Sequence, residues 1–380
     1  MTDAFILSAT RTAIGKRKGA FAFARPDDLM ADCLNGLVDR VGVDPAEIED
    51  VVVGCVTQVG EQGMNIGRTA VLAAGWPVSV PGTSVNRMCA SSLQSVNFAA
   101  QAVMARTMDL VVGGGVESMT RVAMGGDVGP ISERIRDRFD VVGQGTSAEL
   151  IAEKYGFSRG ELDQLAVNSH TRALAAIDEG RFRREIHPIM APGPDGSLHR
   201  IDTDEGPRRG STLETLGALR PAFREGGVIT AATSSQISDG ASAILIGSRS
   251  KADALALVPR ARIRAMAVSA TDPTMMLLGP GPATHMALKK AGLTMKDIDL
   301  FEVNEAFASV VLAWQRDTEA DLARTNVNGG AMALGHPLGC SGARLLVTLL
   351  HELERQDKTL GLATLCIGWG MGVATIIERI

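Results

Sequence analysis

Cys89, His336 and Cys366 are the side chains of this sequence whose types and settings suit covalent chemistry. Cys89 follows a short apolar run that ends at Val85. Beyond it Leu93, Val96, Ala100 and Val103 recur at three- and four-residue spacing, a switch of period that reads as strand, tight loop and helix. A thiol at or just before a helix start feels the positive end of the macrodipole and the unpaired amides of the first turn. Both favour the thiolate, the nucleophilic form. The plainer reading is a small buried hydrophobe, because unpaired cysteine is among the most buried residue types. His336 stands between Gly335 and Pro337, in a glycine-rich loop rather than on a helix face. Cys366 repeats the logic of Cys89: an apolar strand meets a glycine cluster, where backbone N–H groups can approach an oxyanion closely. A further concentration of reactive side chains is Asn304-Glu305-Ala306-Phe307-Ala308. The remaining histidines (His170, His187, His199, His285 and His351) lie in polar or helical settings and read as surface or structural. Two cysteines and one histidine on convergent loops suit acyl transfer, in which one thiolate attacks and a second group shuttles a proton.

The elements that must position these groups alternate. Residues 4–9 read as a buried strand, 27–41 as an amphipathic helix with Leu29, Cys33, Leu37 and Val41 on one face, and 51–56 as a strand. A helix over 65–74, the Cys89 element and a strand at 110–112 closed by Gly113-Gly114-Gly115 follow. Strands alternating with helices imply α/β layers. From about 121 to 210 glycine, proline and charge increase, with helix patterns at 147–155 and 158–179, so this section reads as an insertion on the α/β core. The second half then repeats the first. Residues 296–301 match the pattern of 46–51, and Thr325-Asn326-Val327-Asn328 matches Thr83-Ser84-Val85-Asn86, a repeat at about 240–250 residues that implies a duplicated domain. Duplication would gather the Cys89 loop and the second-half loops around one centre.

Composition narrows the class. Aromatic residues make up 4% of the chain and glycine numbers 42, which suits closely packed α/β layers. A net charge of −5 leaves no basic excess for nucleic acid. No apolar run reaches the roughly 18 residues that a membrane span needs. The first residues, Met1-Thr2-Asp3-Ala4-Phe5-Ile6-Leu7, have no basic region and read as a first strand rather than a signal peptide. Five cysteines without paired spacing fit a reducing cytoplasm, and no His/Cys cluster has metal-ligand spacing, so no metal is expected.

With these residues in view, the sequence resembles the thiolase family, the acetyl-CoA C-acyltransferases, essentially end to end. The motifs that carry the resemblance are VNRMCASSLQ, NEAFA, GGAMALGHPLGCSGAR and CIGWGMG, in order, with TSAEL, LRPAF and SSQISDGA between them. The resemblance implies two similar halves in a five-layered αβαβα arrangement with an inserted loop domain. Its divisions would be an N-terminal thiolase domain at 1–118 with 237–258, a loop domain at 119–236 and a C-terminal thiolase domain at 259–380. It implies that Cys89 becomes acylated and that His336 activates it. His336, with a water held by Asn304, would form an oxyanion hole for the thioester oxygen. Cys366 would be the acid/base at the acetyl α-carbon, and the N–H groups of Cys89 and Gly368 a second oxyanion hole. Arg208 and Ser235 match CoA-contacting positions, and Phe223, Met276, Ala306 and Phe307 match the lining of the pantetheine tunnel. Coenzyme A and acyl-CoA would be substrates, with no permanently bound cofactor, and a homodimer or homotetramer is the expected assembly.

Several positions depart from the family pattern. Ser91-Ser92 stands for the usual Ser-Gly, Gly143-Gln144 stands where Met is usual, and Thr233 replaces an Asn. Trp369 takes a place usually held by Gly and is expected to wall the acyl side of the site. The expected reaction is thiolytic cleavage of 3-ketoacyl-CoA. The alternatives are a biosynthetic acetoacetyl-CoA thiolase, a ketoacyl-synthase-type condensing enzyme, against which Cys366 argues, and a non-catalytic CoA-binding relative.

Overall fold

A computed structural model describes residues 2–380. Twelve strands form along the described chain: β1 (Phe5–Arg11), β2 (Gly15–Lys16), β3 (Asp50–Gly54), β4 (Thr83–Val85), β5 (Leu110–Ser118), β6 (Ile189–Pro192), β7 (Leu198–Ile201), β8 (Ser238–Gly247), β9 (Ala261–Ala270), β10 (Leu300–Val303), β11 (Leu360–Ile367) and β12 (Met371–Arg379). All but β6 and β7 belong to one sheet, ordered β10-β11-β12-β9-β1-β8-β5-β3-β4 with β2 beside β8; β6 and β7 pair by themselves.

The sheet repeats from its middle outwards. β1 and β9 meet through only Phe5↔Arg262 and Ile6↔Ala261. From that joint, β8 and then β5 add antiparallel and β3 and β4 add parallel. On the other side β12 and then β11 add antiparallel and β10 adds parallel, with Thr325 bridging Phe301 in parallel where β4 has its counterpart. The pairing of Thr325 with β10 and of Thr83 with β3 is the structural form of the repeat seen in the sequence.

Alternation along the strands sorts their side chains into layers. Val52 faces inward with Val111, Ile246, Leu365 and Val373. There it meets two helices, α3 (Ser91–Met104) and α8 (Leu338–Arg355), through Leu93, Val96, Leu346 and Leu350. Val51 and Val53 face outward with Leu110 and Val112, against α1 (Pro26–Asp39) and α2 (Ile66–Ala73). In the other half Leu362, Ala374 and Ile376 pack against α6 (Pro280–Ala291) and α7 (Ala308–Thr318), together with α4 (Gln144–Tyr155) and α5 (Arg159–Asp178). Three apolar clusters, the central one covering both sides of the α3 and α8 layer, make five layers. Each fully buried Leu or Val in them contributes about 1.5–3 kcal/mol.

One expectation needs correction. Gly113-Gly114-Gly115 does not close a strand; all three lie within β5, which runs on to Ser118. A Cβ at Gly113 would strike the backbone of Val96 in α3, and one at Gly115 would strike the carbonyl of Gly339 at the start of α8. The glycines let both central helices close on the strand, a tertiary reason that a local reading of turn residues cannot supply.

Candidate active site

The Cys89 loop is a tight turn tied by its own side chains. Asn86 Oδ1 accepts from Met88 N at 2.8 Å, and Ser91 Oγ accepts from Arg87 N at 3.0 Å. Met88 takes φ 48° so that the chain can reverse before α3 begins at Ser91. Cys89 therefore lies just before the helix start, as its sequence predicts. Its charge state differs from the helix-dipole expectation. The thiol is buried among Val56, Met119 and Leu338, and that burial pushes its pKa up to about 11. The nearby N–H groups of Gly368 and Cys89 and the Gln144 side chain act against burial without overcoming it. At neutral pH the sulfur keeps its proton until a base removes it.

Cys366 lies one residue before the end of β11 and pairs with Gly372 of β12. Burial, then the adjacent Cys89 sulfur, push its thiol up. The two sulfurs are thus neighbours, brought together from the two halves of the fold. Gly368, Trp369 and Gly370 turn β11 into β12, with φ 65° at Trp369 and 83° at Gly370. Contrary to expectation, the Trp369 side chain is not on the cavity wall; it is 39% exposed on the outside of this turn.

His336 is held from both ring nitrogens. Ser341 Oγ donates to Pro337 O at 2.8 Å and lies 2.6 Å from His336 Nδ1. With the serine proton spent on Pro337, Nδ1 is the protonated nitrogen and Nε2 carries the lone pair. Asn304 Nδ2 faces Nε2 at 3.2 Å, and Asn304 Oδ1 is buried with no protein partner. Burial, and then the Arg344 charge, lower the His336 pKa to about 3, so the imidazole rests neutral. A neutral imidazole whose Nε2 carries the lone pair is a proton acceptor.

Two buried carboxylates fix these loops, and sequence reasoning missed both roles. Glu117, at the end of β5, accepts from Val56 N and Gly339 N at 2.9 Å, from Thr57 N at 3.1 Å and from Gln62 Nε2 at 2.8 Å. It ties a first-half loop to the start of α8 beside Cys89. Glu305, in the NEAFA segment, accepts from Ser169 Oγ at 2.6 Å, Asn326 Nδ2 at 2.9 Å and Met332 N at 3.1 Å. A side chain at Gly330 would collide with that carboxylate, which is why the loop before His336 needs glycine there. Four or three donors around an acidic residue at a strand end leave no local sequence mark.

A cavity of about 1050 Å³ opens onto His336, Gln144, Met119 and Leu338, and the last two also pack on Cys89. Its walls include Arg208, Phe223, Ser235, Ala306 and Phe307. The last three converge because residues 233–235 pair with 306–308: Ser235 N donates to Ala306 O at 2.9 Å and Ala308 N to Thr233 O at 2.9 Å. Phe223 meets Phe307 edge-on, with ring centroids 5.6 Å apart. Met276 is the exception among the expected lining residues. It is buried in the apolar cluster behind Ala306 and Phe307, not on the wall. His170, read as structural, accepts the Arg208 N–H at Nδ1 (3.1 Å) and so holds that residue's backbone at the cavity mouth.

A duplicated α/β fold with two apposed thiols, a neutral histidine and an apolar tunnel defines an acyl-transferring enzyme. The thiolase N-terminal domain model matches residues 4–250, and the thiolase C-terminal domain model matches residues 257–379. The chain belongs to the thiolase family. It is 46% identical over 396 residues to the steroid 3-ketoacyl-CoA thiolase of Mycobacterium tuberculosis, covering 100% of this chain and 95% of that protein. It is 43% identical to the 3-ketoacyl-CoA thiolase of Bacillus subtilis and 44% identical to the acetyl-CoA acetyltransferase of Pseudomonas aeruginosa, over 100% of each chain. The crystal structure of the Bacillus anthracis acetyl-CoA acetyltransferase superposes with a TM-score of 0.93 at 37% identity, covering 100% of this chain and 99% of that one.

Proposed function

We propose that this enzyme cleaves 3-ketoacyl-CoA with CoA to give acetyl-CoA and a shortened acyl-CoA, through an acyl group carried on Cys89. The observation that carries the reading is the buried Cys89 thiol packed on Met119 and Leu338 of the cavity wall, with the Cys366 thiol near it and a neutral histidine on the same cavity. His336 Nε2 takes the Cys89 proton, and the thiolate attacks the C3 carbonyl. The oxygen that becomes negative is stabilised by the N–H groups of Cys89 and Gly368, each such donor contributing about 3–4 kcal/mol in the transition state. The C2–C3 bond breaks, its electrons pass into the acetyl-CoA enolate, and Cys366 gives its proton to C2. The enolate oxygen lies against His336, now carrying a proton on Nε2, and a water held by Asn304 Oδ1. The Cys366 thiolate then takes the proton of incoming CoA. The CoA sulfur attacks the acyl-cysteine, and Cys89 leaves as thiolate and recovers its proton from His336.

Arg208 and Ser235 sit where the CoA chain enters, and Phe223, Ala306 and Phe307 enclose its pantetheine arm. CoA is the only cofactor-like molecule required, as substrate. Residues 119–236 form the loop domain over this entrance. The same steps run backwards condense two acetyl-CoA, and likeness to an acetyl-CoA acetyltransferase supports that second reading. We place the enzyme in the cytoplasm, as a homodimer or homotetramer. Incubation with 3-ketoacyl-CoA in the absence of CoA should add one acyl mass to the Cys89 peptide. Turnover without any such adduct would overturn the reading.

A further inference from the structure

Arg344 and Glu302 form an ion pair sealed inside the protein. Arg344 Nη1 lies 3.2 Å from Glu302 Oε2, and the two residues are 1% and 2% exposed. Arg344 Nη2 is buried without a protein partner, so the cation is only partly compensated. Replacing such a pair by apolar side chains of similar volume is often neutral for stability, so stability alone does not account for it. Its position in the fold is more informative. Arg344 follows Ser341 by three residues on α8. Glu302 lies on β10, two residues before Asn304, whose N–H continues the strand pairing by donating to Thr364 O at 3.0 Å. Side chains three apart on a helix, or two apart on an extended chain, share a face. Ser341 Oγ lies 2.6 Å from His336 Nδ1, and Asn304 Nδ2 lies 3.2 Å from His336 Nε2. The two elements that hold the imidazole from its two nitrogens are therefore joined to each other, one step along each, by the ion pair.

We infer that Arg344 and Glu302 are positioning residues for His336: their ion pair sets the spacing of α8 and β10, and with it the gap between Ser341 and Asn304 in which the imidazole is held. The inference rests on the reading of His336 as the base that takes the Cys89 proton. In that reading Nε2 must first face the sulfur and then present its new proton to the enolate oxygen. A misplacement of about 1 Å costs such a step on the order of 100-fold. Leu345, Leu346 and Leu349 of the same helix pack through apolar contacts, which are non-directional. A charge-assisted hydrogen bond, by contrast, fixes both distance and angle. The cation also acts on the proton itself. Burial, and after it the Arg344 charge, keeps the resting imidazole neutral.

The test replaces both members with apolar side chains, Arg344→Met together with Glu302→Leu, which fills the space and leaves no unpaired charge. Acylation of Cys89 by acetyl-CoA is followed by rapid quenching and mass spectrometry, with the rate counted per acylatable site, alongside steady-state thiolysis of acetoacetyl-CoA. The double variant should acylate about 10–100-fold more slowly per site. Its kcat should fall by a similar factor while KM for CoA stays within about twofold, since neither residue lines the cavity. A pair with a structural role alone would lower the acylatable fraction or the melting temperature and leave the per-site rate and kcat at wild-type values; that result overturns the inference. Should the double variant not fold, Glu302→Asp draws the carboxylate back by one carbon and keeps its charge. That variant should acylate about 3–10-fold more slowly per site, and a wild-type rate in it overturns the inference equally. Wild-type enzyme that forms no acyl-Cys89 with acetyl-CoA overturns the reading of Cys89 and His336 itself, whatever the variants show.

Discussion

At the scale of single residues, the two cysteines divide the reaction, and their substitution separates it. Cys89→Ser should lose about 1,000-fold or more in turnover, because an alkoxide is far harder to form than a thiolate even at a raised thiol pKa. Cys366→Ala should still let acetyl-CoA acylate Cys89, yet lose α-proton exchange, measured as deuterium uptake into acetyl-CoA. Exchange at the wild-type rate in that variant would show that another base serves C2. His336 offers a test of a different kind. Its pKa is about 6.5 unfolded and is lowered to about 3 by burial and the Arg344 charge, so the unfolded chain binds the proton first as pH falls. Stability from this group is whole above pH 6.5 and is lost on acidification towards pH 3, reaching about 2 kcal/mol lost by pH 5. His336→Asn should flatten that slope in urea titrations at pH 7 and pH 5. Equal slopes in the two proteins would show that His336 is protonated in the folded state.

At the scale of elements, the site is held by turns and strand ends whose strength lies in buried polar bonds. Glu117 accepts four hydrogen bonds and joins loops from both halves beside Cys89. Glu117→Gln presents an NH₂ group to N–H donors, and should destabilise by about 2–4 kcal/mol in urea melts while lowering kcat. An unchanged midpoint would mean the loops hold themselves. The β11–β12 turn gives a contrasting expectation. Trp369 adopts φ 65° with its indole outside the cavity. Trp369→Gly should therefore leave the ratio of kcat/KM between short and long 3-ketoacyl-CoA substrates within about twofold of wild type, since the indole is not part of the cavity wall. A changed ratio would return the indole to the acyl pocket.

At the scale of the whole molecule, the active site lies at the seam of a duplicated fold. Cys89 comes from the first half, while Asn304, His336 and Cys366 come from the second, so neither half holds the chemistry alone. Strand β4 is a sheet edge, and Met64 and Val78, which precede it in sequence, are 94% and 80% exposed. Apolar side chains beside an open edge are the features that association covers. Light scattering should accordingly return the mass of two or four chains, and a monomer at micromolar concentration would count against it.

The alternation of strands and helices, the internal repeat and the reactive side chains Cys89, His336 and Cys366 were determined by the sequence alone, because each leaves a local mark of period, glycine context or motif. The same local marks misplaced Gly113–Gly115 as a strand end and the Trp369 indole as a pocket wall, since both depend on what packs against the backbone from elsewhere. Met276 matched a tunnel position by resemblance, yet lies in the buried cluster with Ala306 and Phe307 without reaching the cavity wall. The charge state of Cys89 was likewise decided by tertiary structure. A helix start favours the thiolate, but desolvation by Val56, Met119 and Leu338, distant in sequence, outweighs it. Glu117, Glu305 and His170 gained their roles the same way. Their partners lie tens to hundreds of residues away, and hydrogen bonds across such distances form only once the chain has folded.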